Sequence, residues 1–458
     1  MISKFHSIAL GFGFTLMAGC AASSTSSSIS APIGATEVAA NADVRVVPVG
    51  LGWARTSVNA VVFRGSSVTS FGNVQYTAYY DAEARVVLAK RQLGSAQWEI
   101  LRTRYSGTAR DAHNAISLGV DGNGVLHMAW DEHGGPLRYV HAVAPGSLEL
   151  TDPLPMTGDA ESRVTYPQFY RLASGDLLFL YRDGVSGGGD VMLNRYDLAR
   201  GEWRALSHPL IAGEGLRNAY MNTLAVDEKG GWHLSWVWRE TPDVASNHDV
   251  LYAYSPDQGR SWRRSDGTAY SLPITAATAE IAWSVPQGSE LINQTSMTVD
   301  GSGRPLIATY WRSPESEVPQ FRVVWHDGAK WRVNEVGYRT LAFRLSGGGT
   351  RRIPISRPQI LAAGDTVYVV FRDEERGSGV SVAISTDPER ADWTVRALHS
   401  DSVGMWEPSY DIPLWRREHT LHLFLQKVGQ GDAETQEEVP PQMVSILEWS
   451  PPRGEAPM

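Results

Sequence analysis

Apolar residues along this chain fall into short runs, and no long stretch carries them at helical spacing. One pattern recurs: an apolar run that ends in an aromatic residue and then a polar or charged one. It occurs at Gln75–Asp81 (QYTAYYD), Leu126–Asp131, Leu178–Arg182, His233–Arg239, Leu306–Arg312, Val367–Arg372 and Leu421–Gln426, a period of about fifty residues. A shorter apolar run and a tight turn precede each copy, as in Asp121–Gly124 (DGNG) and Asp300–Gly303 (DGSG). A third strand follows, then often a tryptophan near the end of a fourth. Ser255–Trp262 (SPDQGRSW) matches the Asp-box turn S-x-D-x-G-x-x-W in full, and Asp197–Trp203, His326–Trp331 and Ser385–Trp393 are degenerate copies. Four strands per unit and seven units predict an all-β fold, a seven-bladed β-propeller with four-stranded antiparallel blades, as one domain over 43–458. The last unit, with strands near Ser409–Leu414, Thr420–Gln426 and Gln442–Trp449, is one strand short. Asp43–Val49 (DVRVVPV) is expected to complete it and so remove an exposed edge. Asp266–Gln287 is expected as a loop over one face.

The N-terminus reads differently. Lys4, the apolar run Ile8–Met17 and Leu16–Cys20 (LMAGC) form a signal segment over 1–20 with a bacterial lipobox, in which Cys20 would be lipidated. Residues 21–42, rich in Ser and Ala, are expected as a flexible tether. The protein would then be exported, either anchored in the outer membrane or secreted, and touch a membrane only through Cys20. Cys20 is the one cysteine, so no disulfide and no cysteine metal site is expected. The net charge of -9 argues against nucleic-acid binding. A monomer is expected.

In the stretch Asp111–Tyr139, His113 precedes one strand of a hairpin and His133 follows the other, so both lie at the same end. His127 alternates with core residues and is expected to be structural. In a propeller, starts of first strands and ends of second strands converge on one face. Those positions carry His113, Asn114, Tyr166, Tyr220, Asn222, Asn293, Gln294, Arg357, Glu407 and Tyr410 at the starts. At the ends they carry Asp81, His133, Arg182, Arg239, Arg312 and Arg372. Four arginines at one repeat position, in an acidic protein, predict a cationic mouth for an anionic ligand. Histidine, tyrosine and arginine without paired carboxylates do not suit ordinary glycoside hydrolysis. They suit β-elimination at a uronate, where a cation neutralises the carboxylate, a base takes the C5 proton and an acid protonates the leaving oxygen.

Asp111–Asn114 (DAHN), His127-x-x-Trp130-x-x-His133, Pro136–Tyr139 (PLRY), Thr165–Pro167 (TYP) and Tyr181–Gly187 (YRDGVSG) resemble the propeller-type ulvan lyases. The resemblance implies a secreted enzyme that cuts ulvan, a sulfated rhamnose–uronate polymer, by β-elimination and leaves an unsaturated uronyl end. It implies His113 and Tyr166 as the proton-transfer pair, with base and acid unassigned, and Arg182 as the neutralising cation. His133, Asn114, Tyr220, Arg239, Arg312, Arg357 and Arg372 would bind substrate. No compact metal-ligand cluster is expected and no cofactor is required, although a structural divalent ion has precedent in the family. Two rival readings remain: a sialidase-like hydrolase, which would share the Asp-boxes, and a non-catalytic surface protein that binds anionic glycans.

Overall fold

The computed structural model describes residues 37–38, as backbone, and 43–452. Cys20 and the signal segment lie outside the described residues, as does most of the expected tether. Within that tether, Glu37–Val38 forms a short strand parallel to Thr394–His399.

The described chain is all-β, built largely of four-stranded antiparallel sheets in simple meander order. Val68–Phe71, Val74–Tyr80, Arg85–Gln92 and Glu99–Ser106 form one sheet. Ser296–Val299, Pro305–Trp311, Gln320–His326 and Trp331–Glu335 form another, and Gln359–Ala363, Thr366–Phe371, Val380–Ser385 and Thr394–His399 a third. Ile116–Val120, Leu126–Trp130 and Tyr139–His141 make a three-stranded sheet. Two four-stranded meanders, one running from Val164–Arg171 to Glu202–Ile211 and one from Asn218–Met221 to Glu280–Trp283, are fused into one larger sheet. A single parallel pair, Gly189 with Asn218, joins them.

The N-terminal strand Val44–Gly52 pairs antiparallel with the C-terminal strand Gln442–Trp449, which pairs in turn with Leu421–Leu425, as expected from the missing strand. One expectation fails. Ser409–Leu414 is not a strand; the chain turns at Asp411 into the helix Ile412–Glu418. Asp411 caps that helix by accepting from the Leu414 amide, and Pro413 sits in its first turn, where a missing N–H costs nothing.

Burial explains the recurring motif. The second strand of each unit lies between neighbouring sheets and is buried on both faces: all of Leu126–Trp130 and all of Trp232–Arg239 are buried. Such strands read as continuous apolar runs. The edge strand Glu99–Ser106 alternates exposed and half-buried residues. The turns are built by aspartates. Asp121 accepts from the amides of Asn123 and Val125, and its other oxygen lies 3.4 Å from His127 Nε2. Asp227 does the same with Lys229, Gly231 and His233. His127 is fully buried and also meets the Tyr139 hydroxyl at 2.7 Å, so it is structural, as expected. In the Asp-box, Ser255 Oγ accepts from the Gly259 amide and Asp257 from the Ser261 amide, which places Trp262 in the core.

Candidate active site

His113 and His133 meet at one end of their hairpin with rings stacked, centroids 4.0 Å apart and planes 10° apart. One carboxylate holds both. Asp111 Oδ1 lies 2.8 Å from His113 Nδ1, and its Oδ2 lies 2.7 Å from His133 Nδ1. Glu434, from the loop before the last strand, approaches His113 Nδ1 at 3.2 Å and accepts from the Ala112 and Thr350 amides. Burial disfavours charge on His113, but Asp111 and Glu434 outweigh it and raise the pKa to about 9. His113 is therefore an imidazolium at neutral pH. Burial opposes ionisation of Asp111, yet bonds from the two histidines hold it well below the usual carboxylate range.

Tyr166 is aimed by strain. Its strand bulges between Thr165 and Gln168, and Tyr166 takes φ 60°, unusual for a residue with a side chain. Its ring lies 5.9 Å from that of His113 and 6.0 Å from that of Tyr220. Phe63 fills the corner, 5.3 Å from His113 and 5.1 Å from Tyr166. Burial, then the neighbouring Tyr220, push the Tyr166 phenol well above its usual range, so it keeps its proton.

Tyr220 is the opposite case. Arg182 Nη1 and Arg239 Nη1 donate toward its oxygen at 3.4 and 3.3 Å. Asn218 Nδ2 donates at 3.4 Å, and Ser186 Oγ lies 3.3 Å away. Burial raises the phenol, but Arg239 and then Arg182 overcome it and bring the pKa to about 7. Thr165 Oγ1 accepts from Arg182 at 3.1 Å, while Asn247 and Asn293 accept from Arg239 at 2.8 and 2.6 Å. The arginines are thus fixed with neutral partners, and among the described residues no carboxylate is paired with them.

The remaining expected ligand residues divide. Arg357 sits beside the site, with its guanidinium 5.5 Å from the Phe63 ring and paired with Glu407 at 2.8 Å. Asn114 is adjacent, its side chain bonded to the Thr108 carbonyl. Arg312 does not join the cluster; it pairs with Glu290 and the Gly288 carbonyl. Arg372 is a correction. It is 1% exposed and donates from all three of its nitrogens to the carbonyls of Ile353, Pro354 and Trp406, so its main task is to brace loops. Tyr410 is also misplaced by the sequence argument, and lines a cavity with Arg416 far from this site.

The expectation of no compact ligand cluster also fails. Asp111, His113 and His133 present donor atoms within 4.8 Å of one another. The fit to a divalent ion is nevertheless poor as the rings stand. The stacked rings set their Nδ1 atoms side by side, each facing its own oxygen of Asp111 as an N–H donor, so both must lose that proton and the rings must tilt before they reach one ion at about 2.1 Å. The arrangement suits a carboxylate clamp.

Loop 336–358 crosses over the cluster. Gly347 exchanges hydrogen bonds with Val244 and Asp243, and Thr350 reaches Glu434 and comes within 3.4 Å of His113. His113, Tyr166, Arg182 and Tyr220 are all buried, whereas His133 is exposed.

Phe63, Asp111, Glu434, Thr350, Asn218 and Asn247 were not singled out from the sequence. Asp111 carried a signal, two residues before His113. Phe63 and Glu434 carried none, because they come from loops without periodicity.

Relatives share this framework. An ulvan lyase, long isoform, of Alteromonas sp. is 27% identical over 277 residues, covering 46% of this chain and 27% of the relative. The chain thus spans about a quarter of that relative's length. A solved PL25 ulvan lyase superposes with a TM-score of 0.66 at 13% identity, over 84% of this chain and 97% of the other. A PL25 ulvan lyase solved with -[GlcA(1-4)Rha3S]- bound gives 0.63 at 14% identity, over 88% and 95%. At these identities the two structures speak for the fold. The model of a BNR repeat-containing family matches residues 74–339, more than half of the chain, which therefore belongs to the BNR repeat-containing family.

Proposed function

We propose that the chain is a polysaccharide lyase that cleaves ulvan by β-elimination at the uronate. The observation that carries this is Tyr220, a phenol brought to about 7 between two arginines that have no carboxylate partner among the described residues. Arg182 and Arg239 would bind the uronate carboxylate and stabilise the charge that develops on it. The Tyr220 phenolate would take the C5 proton, the C4–O4 bond would break to leave a C4–C5 double bond, and the leaving oxygen would take a proton. Two cations balance two anions, carboxylate and phenolate, at that point. Tyr166 and His113 both hold protons at neutral pH, so the pair implied by the family supplies the acid and the base moves to Tyr220. His133, exposed beside His113, would contact the chain of sugars. The similarity to ulvan lyases, one of them solved with a glucuronate–sulfated rhamnose unit, supports the substrate class.

Asp111 and Glu434 do not form a hydrolase pair, because both are tied to His113. Thr350, on loop 336–358, meets His113 at 3.4 Å and would help fix its ring. The fold reading extends to seven blades, with the fused sheet counted as two and Val44–Gly52 closing the last. The proposal also includes a monomer exported and anchored through Cys20; substitution Cys20→Ser should release it from the membrane fraction. Among the described residues no helix is long and apolar enough to cross a membrane. A structural divalent ion would have to be held by Asp111, His113 and His133. Mass spectrometry of ulvan fragments tests the reaction: elimination gives products one water lighter than hydrolysis, and fragments of hydrolytic mass would refute it.

A further inference from the structure

A cavity of about 660 Å³ lies away from the site above. It lies at the other end of the same strands. Val164–Arg171 carries Tyr166 near its start and Arg171 at its end, about 17 Å along the strand. Ile116–Val120 follows His113 and likewise delivers its last residues, Gly119 and Val120, to the cavity wall.

Four cations line this cavity: Arg171, Lys229, Arg416 and Arg417. Their counter-charges are few. Arg417 pairs with Glu418 at 2.8 Å. Asp227 is spent on His233 and on the amides of its own turn, and Asp411 is buried on Gln75, Ser70 and the helix cap. Glu228 is the one other carboxylate in the wall. No hydrogen bond or ion pair among the described residues reaches Arg416; the groups that act on it are the Tyr410 and Tyr170 phenols. Burial lowers the pKa of Arg171; Asp411 opposes that, and the charges of Arg417 and Arg416 then add to it, so the arginines repel one another. A basic last turn suits the helix Ile412–Glu418, whose carbonyls end there. That accounts for Arg416 and Arg417. It does not account for Arg171, from a strand of a different sheet, or for Lys229, from a turn. Phe169 and Ile412 add an apolar wall.

We propose that this cavity binds an oxyanion carried on a small organic body, a sulfate ester or carboxylate on a fragment of about disaccharide size. The inference is independent of the reaction proposed above, since it uses none of those residues.

The test is calorimetric titration of the whole protein, at constant ionic strength, with two probes: sodium sulfate and a sulfated rhamnose–uronate disaccharide. Saturable binding is expected in wild type and in Arg182→Ala. It should weaken about ten-fold or more in Arg416→Ala, the loss expected for one charged hydrogen bond. Lys229→Ala, at an exposed turn where folding is not at stake, should weaken binding by a smaller factor. The disaccharide should bind more tightly than sulfate; equal binding of the two would identify a free inorganic oxyanion and overturn the organic body in the proposal. Binding that is lost in Arg182→Ala but unchanged in Arg416→Ala and Lys229→Ala would place it in the other site and overturn the proposal. Absence of saturable binding of both probes would overturn it equally.

Discussion

Arg239 ends the second strand of its unit, Arg312 and Arg372 directly follow theirs, and Arg182 lies three residues before the end of its own. The repeat makes the four equivalent, but their partners make them different. Arg182 and Arg239 rest on a threonine and two asparagines and turn their remaining donors toward Tyr220. Arg312 is neutralised by Glu290, and Arg372 is consumed by three carbonyls. A charge acts on a ligand only where nothing in the protein has already answered it. The position of an arginine in a repeat says where it is, and its neighbours decide what it can do.

Five substitutions separate the two pairs of arginines and the groups around them. Tyr220→Phe removes the group on which the two active arginines converge and should lower kcat by about 10²–10⁴-fold, the range for a lost general base. Its pH–rate profile should lose the acid limb near 7. Arg182→Ala should cost about 10²–10³ in kcat, as for one preorganised charge contact. Full activity in that variant would end the neutralising role. Arg372→Ala should leave the chemistry of folded protein near wild type and lower unfolding free energy by about 2–4 kcal/mol, measured by denaturant titration, because buried carbonyls lose their donor. A specific loss of kcat at full stability would contradict the distinction drawn between the arginines. Glu434→Gln removes one charge that holds His113 protonated. Its alkaline limb should move below about 9, with only a few-fold loss of rate at neutral pH. Stability is linked with the same sign: His113 is raised from 6.5 to about 9 in the folded state. Its contribution is therefore full below 6.5 and lost as pH rises through 9, and Glu434→Gln should flatten that loss in melting curves. Arg312→Ala should change activity and stability least, within about 1 kcal/mol, as for a partly exposed ion pair.

Much of this was legible in the sequence, for a local reason. Strand runs, Asp turns and the Asp-box are patterns within a few residues, and Asp121, Asp227 and Ser255 do locally what their motifs require. The pairing of His113 with His133 followed from one hairpin. The strand expected over Ser409–Leu414 failed because its apolar run outweighed a helix start, Asp411 with Pro413, that was there to read. Phe63 and Glu434 could not be read. Each reaches His113 from a distant loop, and that contact exists only after the sheets pack. The partners of Arg312 and Arg372 are non-local in the same way. Tyr166 was found at a first-strand start and given its role by resemblance, but its left-handed backbone, which aims it, has no signature beyond the following proline.

The most direct measurement is the rate at which ultraviolet absorbance of an unsaturated uronate rises in ulvan solution, followed across pH for the whole protein and for Tyr220→Phe. A rising signal in wild type, bounded by limbs near 7 and near 9, with the lower limb absent from the variant, is the predicted result. No rise in wild type, or a variant with the same profile and rate, would contradict the assignment of Tyr220 between Arg182 and Arg239 as the centre of the reaction.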